Sequence, residues 1–433
     1  MKSNHRDPGR TIEGTREGTQ ATVTIDIEFE DFNPKPIIKE LLEDKKTMEG
    51  ERMTFEAITL RKLCYATKER LMHEPALIEM PVPTTIVGDI SGQFRDLVNI
   101  FDRLSTEKKH GCFTSRFVFL GNYVDRGIHS LECIVLLFSL KLMFPKSYCL
   151  LRGNHETRPL NRLFGFFDEL RQRYSEEDAY ELYLRINDVF DCLPLTAIVG
   201  EKILCVHAGL SEEMVNLADM KKLNRPLGDV GESSLATDIL WADPAVNVKE
   251  FELNGQRNLS KWFDEAAVDS LIEKFGLSLI VRSHQMPPAG FAFYNGRKVL
   301  TLFSAPNVTG DTTNYGAVAR ILEDGGMEIL VFANSDDDNT PLTKDSFNKK
   351  MKVFLQDDSW ICEKGEMDLP DWDMSHKADT RSYRLCAAQK DTNKPQKKEK
   401  KEKASKTRRM DNSDLSDFTK TTEQGDSCQL SID

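Results

Sequence analysis

A chain of 433 residues with 39% hydrophobic content holds enough apolar material for one large α/β domain with tails, or for two average domains. Its net charge of -12 argues against a general affinity for nucleic acid or an anionic membrane, because counterion release rewards basic surfaces. The nine cysteines are scattered without a Cys-x-x-Cys pair, no window approaches the roughly 20 apolar residues of a membrane span, and no secretory leader is recognisable; we expect reduced thiols, no membrane partner and a cytoplasmic or nuclear setting.

Residues 1–33 are polar and rich in Gly, Thr and acidic side chains, which cannot bury enough apolar surface to offset chain entropy, so a disordered N-terminal arm is expected. Apolar periodicity then runs through a folded domain over 34–355. Helical spacing covers Pro36–Leu42 and Thr54–Met72, with Leu60, Leu63, Cys64 and Ala66–Thr67 near one face. Short apolar runs at Thr84–Val87, Arg116–Leu120, Tyr148–Leu151, Ala197–Val199, Ile203–Val206, Leu277–Val281 and Val299–Phe303 read as strands alternating with helices. Residues 356–433 form an extension and a tail that is Lys-rich from Lys394 to Arg409, with Glu399 and Glu402 interleaved, then rich in Ser, Thr and Asp around Ser413, Ser416 and Ser427. This tail has no core-forming pattern and is expected to be disordered and solvated.

Most of the strands end in a loop that carries chemistry-bearing residues, and in α/β sheets ligands gather at the carboxyl ends of strands. Six runs stand out: Gly88–Gln93, Gly121–Gly127, Arg152–Glu156, His207–Gly209, Arg282–Gln285 and Ser304–Asn307. A phosphate monoester resists hydrolysis because its anionic oxygens repel hydroxide; two metal ions roughly 3.5–4 Å apart would supply positive charge and an activated water. Carboxylates, imidazoles and amide oxygens on rigid loops hold such ions, and Asp89, Asn154, His207 and His284 are suitable types in suitable places. Arg126, Arg152 and Arg257 add guanidinium forks for phosphoryl oxygens, and His155, with Asp125 to orient it, could protonate a leaving alkoxide. Singly these signals are weak, since a lone His at a strand end is more often structural and Asn154 could cap a helix. The order and spacing of all six are not a chance assembly.

From about residue 55 to 335 these runs, with Asn161–Glu169, Cys192–Leu195, Leu240–Pro244 and Thr301–Asn307, resemble the catalytic domain of the PPP-type serine/threonine protein phosphatases, nearest to protein phosphatase 1. The resemblance implies a calcineurin-like metallophosphoesterase fold, an α/β β-sandwich of two mixed sheets flanked by helices, with manganese or other divalent metals at the sheet edge. It also implies phosphorylated proteins as substrates, and regulatory subunits as partners. Carried over by motif, Asp89, the residue at Ser91 and a bridging residue at Asn122 would hold one metal; Asn122, Asn154, His207 and His284 would hold the other. Arg126, Arg257 and Asn154 would grip phosphate, His155 with Asp125 would be the acid and its orienter, and Asp243 a supporting carboxylate.

The chain departs from that pattern where it matters most. Ser91 stands at the place of an imidazole and Asn122 at that of the bridging carboxylate, Val308 and Phe164 at those of two tyrosines, and Ala208 at that of a glycine. The first metal keeps one of three protein ligands, so one ion or none is expected where the family has two. Losing charge stabilisation of about 4 kcal/mol slows a reaction about a thousandfold. The reading is therefore a phosphatase-like protein with impaired turnover of phosphoserine and phosphothreonine; the alternative is an inactive pseudophosphatase that binds phosphoproteins or acts as a scaffold.

Overall fold

The computed structural model describes residues 32–43, 50–105, 110–231, 234–310 and 314–333. Nearly all of the expected arm, and the whole expected tail, lie outside the described residues. The chain opens with α1 (Lys35–Glu43) and α2 (Ala57–Met72), then runs through β1 (Leu77–Met80), β2 (Thr84–Val87), α3 (Phe94–Arg103), α4 (Gly111–Thr114), β3 (Phe117–Phe119), α5 (Ser130–Met143) and β4 (Tyr148–Leu150). Next come α6 (Arg158–Leu163), α7 (Phe166–Arg173), α8 (Glu176–Phe190), β5 (Thr196–Val199), β6 (Ile203–Val206), α9 (Leu217–Lys221) and α10 (Leu235–Trp241). The last elements are β7 (Asp243–Pro244), β8 (Phe251–Leu253), β9 (Lys261–Phe263), α11 (Glu265–Phe275), β10 (Leu279–Arg282), β11 (Phe291–Tyr294), β12 (Val299–Leu302), β13 (Gly316–Ile321) and β14 (Met327–Phe332). No helix among the described residues is long and apolar enough to cross a membrane.

Most of the expected boundaries hold to within one residue, and two differ by more for identifiable reasons. Helix α2 starts at Ala57 rather than Thr54 because the preceding backbone is held elsewhere: the Met53 amide donates to Glu132 Oε1 at 2.8 Å, and the Tyr174 hydroxyl donates to the Phe55 carbonyl at 3.0 Å. Strand β10 starts at Leu279 rather than Leu277 because Gly276, at φ 63°, and the Leu277 amide close the end of α11. Strands β13 and β14 were signalled by Asp324-Gly325-Gly326 between two apolar runs, a hairpin pattern that strand-by-strand reading passes over.

The strands form two mixed sheets, in the orders β1-β5-β6-β10-β12-β11 and β14-β13-β2-β3-β4, and a small sheet β7-β9-β8. Strand alternation explains the layering. Ile86, Val118, Cys149, Cys205, Val281 and Leu300 face a core shared by the two large sheets, while their neighbours Val87, Phe117, Phe119 and Leu150 turn outward to a core with α2, α3, α5, α7 and α8. Leu204, Val206, Ile280 and Val299 turn the other way, onto α10 and α11. Strands buried on both faces read as continuous apolar runs, which is how the sequence writes them. The expected sandwich of two mixed sheets flanked by helices is the architecture.

Strands β2, β3 and β4 are mutually parallel in one sheet, and β6, β10 and β12 in the other. The six runs leave the carboxyl ends of these two trios, so the topology alone gathers them. Behind them, α7 supports the turn into α5. Glu169 accepts the Ser130 and Leu131 amides at 2.9 and 3.1 Å, the Ser130 hydroxyl accepts the Asp125 amide at 3.1 Å, and Asp125 Oδ1 accepts the Phe166 amide at 3.0 Å.

Burial pushes the Glu169 carboxyl up to about 7 from an ordinary 4.5, although Arg173 and the Leu131 amide pull it down. A carboxyl raised by folding contributes its stability below its unfolded value and loses it as pH rises toward the folded one. Between pH 4.5 and 7 we therefore expect the wild type to lose about 3 kcal/mol relative to Glu169→Gln. Urea unfolding of both proteins at the two pH values measures this; a constant difference would show that Glu169 is ionised throughout.

Candidate active site

The two sheets are joined at the carboxyl ends by polar bonds centred on Asp89. Asp89 pairs with Phe303 as an isolated bridge, its amide donates to Ser283 Oγ at 2.9 Å, and the Gly88 amide donates to Ser304 Oγ at 2.8 Å. The Asp89 side chain, 3% exposed, accepts the Ser283 hydroxyl at 2.5 Å and the His284 amide at 3.3 Å on Oδ1, and the Asn122 Nδ2 amide at 2.8 Å on Oδ2. Such loops need unusual backbone. Ser91, Asn122, Asp125, Arg126, His284 and Asn307 all have positive φ, between 49° and 74°, a clustering of strained residues that marks functional sites. Gly121, at φ 107°, allows the β3 and β4 loops to touch, since a Cβ there would lie 2.3 Å from the Gly153 nitrogen.

The orientation of the Asn122 amide is dictated by its neighbours. The His155 backbone N–H can only donate, and it meets Asn122 Oδ1 at 2.9 Å; the other end must then be the NH₂ group that faces Asp89. Ser91 contributes backbone: its amide donates to the Asn122 carbonyl at 2.9 Å and its carbonyl accepts the Gly127 amide at 2.9 Å. The loop is fixed from below by Glu156, whose fully buried carboxylate accepts the amides of Asn122 and Gly153 on Oε2 at 2.6 and 2.9 Å, and of Tyr123 on Oε1 at 2.8 Å. Burial pushes its carboxyl up to about 7, and these amide donors oppose the rise.

Asn154, His207 and His284 form a second group. Asn154 does not cap α6, whose N-cap is Thr157; its Oδ1 lies 2.9 Å from His207 Nε2. His207 Nδ1 must carry the ring proton because it faces the Leu120 carbonyl at 2.8 Å, and burial lowers this histidine to about 4, so Nε2 offers a lone pair. With Oδ1 toward the ring two acceptors face each other; turned over, the same amide would donate Nδ2–H to Nε2. The His284 ring lies 5.2 Å from that of His207, and its buried Nε2 has no hydrogen-bond partner among the described residues. Asp243 Oδ1 is 4.0 Å from that nitrogen, but burial, with Arg257 and His207 beside it, holds the ring neutral, so this is not an ion pair.

These donors discriminate between the two cations implied by the motif. Facing lone pairs on Asn154 and His207, with an orphaned buried nitrogen on His284, fit a divalent ion. Asp89 with Ser91 and Asn122 does not fit one, because an N–H of Asn122 already points at the carboxylate oxygen a cation would need. Among the described residues no three His, Cys, Asp or Glu side chains converge as a metal-holding group.

Around this centre, His155 Nδ1 donates to Asp125 Oδ2 at 2.6 Å, and the His155 ring lies 5.3 Å from Phe164. Phe164 is also the platform for Arg126, whose guanidinium carbon sits 4.8 Å over the ring while its amide donates to the Phe164 carbonyl. Arg257 Nε donates to Asp243 Oδ2 at 3.0 Å, and the buried Arg282 donates to Asp243 Oδ1 at 2.9 Å, so Asp243 anchors one exposed and one buried guanidinium. Arg152 is not a phosphate fork. It is fully buried, and its guanidinium donates to Asp191 at 2.9 Å, to the Glu156 carbonyl at 3.0 Å and to the Leu227 carbonyl. A cleft of about 910 Å³ opens beside the centre, lined by Arg126, Phe164, Gln93 and Val308 among others. Glu156, Ser283 and the Phe164 platform carry no role in the sequence reading although all three stand inside the quoted motifs.

A family model described as calcineurin-like phosphoesterase matches residues 82–288. Among solved structures, a protein serine/threonine phosphatase from Saccharomyces cerevisiae, described as similar to human phosphatase PP5, aligns with a TM-score of 0.61 at 25% identity, covering 69% of this chain and 96% of that one. A cold-active protein-tyrosine phosphatase of a psychrophilic Shewanella aligns with a TM-score of 0.44 at 16% identity, covering 60% and 81%; nothing is built on a likeness that low.

Glu156→Gln puts an NH₂ group against at least one of three buried backbone donors. We expect a loss of about 2 kcal/mol or more at pH 8 in urea unfolding; a loss under about 0.5 kcal/mol would mean that the loops do not depend on this carboxylate.

Proposed function

From a fold that is that of the calcineurin-like metallophosphoesterases, we propose that this protein is a divergent PPP-type phosphatase, nearest to protein phosphatase 1, that engages phosphoserine and phosphothreonine in proteins but hydrolyses them poorly. The observation that carries this reading is the 2.8 Å bond from Asn122 Nδ2 to Asp89 Oδ2, which occupies the carboxylate at the heart of the first ligand set. Asn154, His207 and His284 would hold one divalent ion, manganese among the candidates, which when bound would polarise a phosphoryl oxygen. The rest falls to the chain itself. Arg126 and Arg257 bring fixed positive charge to phosphoryl oxygens; Asp125 holds the Nδ1–H of His155, leaving Nε2 to pass a proton to the leaving alkoxide. A second reading, a pseudophosphatase that only binds phosphoproteins, is favoured by the same saturated Asp89. The six described cysteines, all buried and unpaired, fit a cytoplasmic or nuclear setting.

We expect the purified chain to hydrolyse an aryl phosphate at least about a thousandfold more slowly than a relative with all six ligands, with or without added manganese. Ser91→His with Asn122→Asp should recover much of the difference, and either change alone little, because both serve one ion. Turnover comparable to the intact relative's in the unmodified chain would overturn the reading.

A phosphoserine peptide should still bind, more weakly as salt rises, and lose its phosphate-dependent affinity in the Arg126→Ala, Arg257→Ala double variant. Titration calorimetry decides this; equal binding by wild type and variant would leave the two arginines a packing role only.

A further inference from the structure

Asn122 is a gained donor as well as a lost ligand. Its side chain joins three loops, accepting the His155 amide from the β4 loop on Oδ1 and donating through Nδ2 to Asp89 of the β2 loop. Asp89 in turn takes the Ser283 hydroxyl and the His284 amide from the β10 loop. Both side chains are 3% exposed, and a buried carboxylate must be compensated by donors or by a cation. Here protein donors supply it: the His284 amide and the Ser283 hydroxyl, whose single proton also lies within reach of the Leu302 carbonyl at 2.6 Å, meet Oδ1, and the Asn122 side-chain amide meets Oδ2.

We propose that the Asn122 side-chain amide replaces the first metal ion as the cross-link between the β2 and β3 loops, so that Asp89 is an internal acceptor hub and this corner of the fold is independent of metal. The consequence is specific. A carboxylate at position 122 would face that of Asp89 at the 2.8 Å now spanned by an N–H bond, a contact that needs a metal cation or, without one, a proton shared between the two carboxyls at a cost in stability. If the two side chains were exchanged, with the amide at 89 and the carboxylate at 122, every bond of the cross-link could form in reverse. The carboxylate would accept the His155 amide and the NH₂ of residue 89, whose oxygen would accept from Ser283 and His284.

The test is the melting temperature of the full chain in excess EDTA. Asn122→Asp is expected to melt roughly 5 °C or more below the wild type, and the exchanged double variant, Asp89→Asn with Asn122→Asp, to regain more than half of that loss. Manganese should raise the melting temperature of Asn122→Asp more than that of the wild type, whose response reports the Asn154, His207 and His284 group alone. Equal stability of Asn122→Asp and wild type in EDTA, or a double variant no more stable than the single, overturns the proposal. Should Asn122→Asp fail to fold, Asn122→Ala carries the test through hydrogen exchange: the His155 amide should exchange at least about tenfold faster in EDTA, and unchanged exchange overturns the proposal. None of these readouts involves turnover, so a fast wild-type enzyme would overturn the functional reading alone, and an exchange that fails to rescue would overturn this one alone.

Discussion

A carboxylate taken out of water has to be met by positive charge or by hydrogen-bond donors, and the junction of the two sheets is organised around that requirement at Asp89. Its position is inherited from topology: β2 ends beside β12, and Asp89 bridges to Phe303 across the gap between sheets. Everything near it is a donor arranged to suit. Ser283 turns its hydroxyl in and accepts the Asp89 amide, His284 adopts φ 69° and offers its own amide, and Asn122 adopts φ 56° so that its NH₂ reaches Oδ2. Asparagine, like aspartate, is among the few non-glycine residues that tolerate this backbone region readily.

A second layer of buried carboxylates performs the same service for the loops themselves. Glu156 gathers three backbone amides from the β3 and β4 loops, and Glu169 gathers two from the start of α5. Both are held by donors yet pushed upward by burial, so each balances two terms of opposite sign. Precision at the centre is thus supported by buried carboxyls whose desolvation is opposed by the backbone amides they gather. The strain of six positive-φ residues persists only because these bonds over-determine the loops.

The layered sandwich was legible because its strands are buried on both faces and therefore appear as unbroken apolar runs; the helices on either side follow from period-2 alternation of what each strand turns outward. Strand ends were legible to within two residues, and the start of α2 was shifted by three through a bond that no local pattern contains, from the Met53 amide to Glu132. The site was legible as a set of loops. What each charged group does there was less so, because a motif records residue types and not what they are already bonded to. Arg152 reads as a phosphate fork by its type, and only its burial against Asp191 and Leu227 shows otherwise. Ser283 and Glu156 escape notice for the converse reason, since a serine hydroxyl and a carboxylate facing backbone amides carry no signature at a distance in sequence.

The two halves of the centre have different physical fates, and this bears on what the surviving residues are for. On the Asp89 side both carboxylate oxygens already take protein donors, two on Oδ1 and the Asn122 amide on Oδ2. On the Asn154, His207 and His284 side the Asn154 amide meets His207 Nε2 at 2.9 Å, and the buried His284 Nε2 has no hydrogen-bond partner among the described residues. The guanidinium of Arg126 depends on neither half. It is held by the face of Phe164, whose ring also packs near His155. The positive charge of Arg126 is therefore carried by a side chain with its own aromatic scaffold, and its placement requires no cation at the centre.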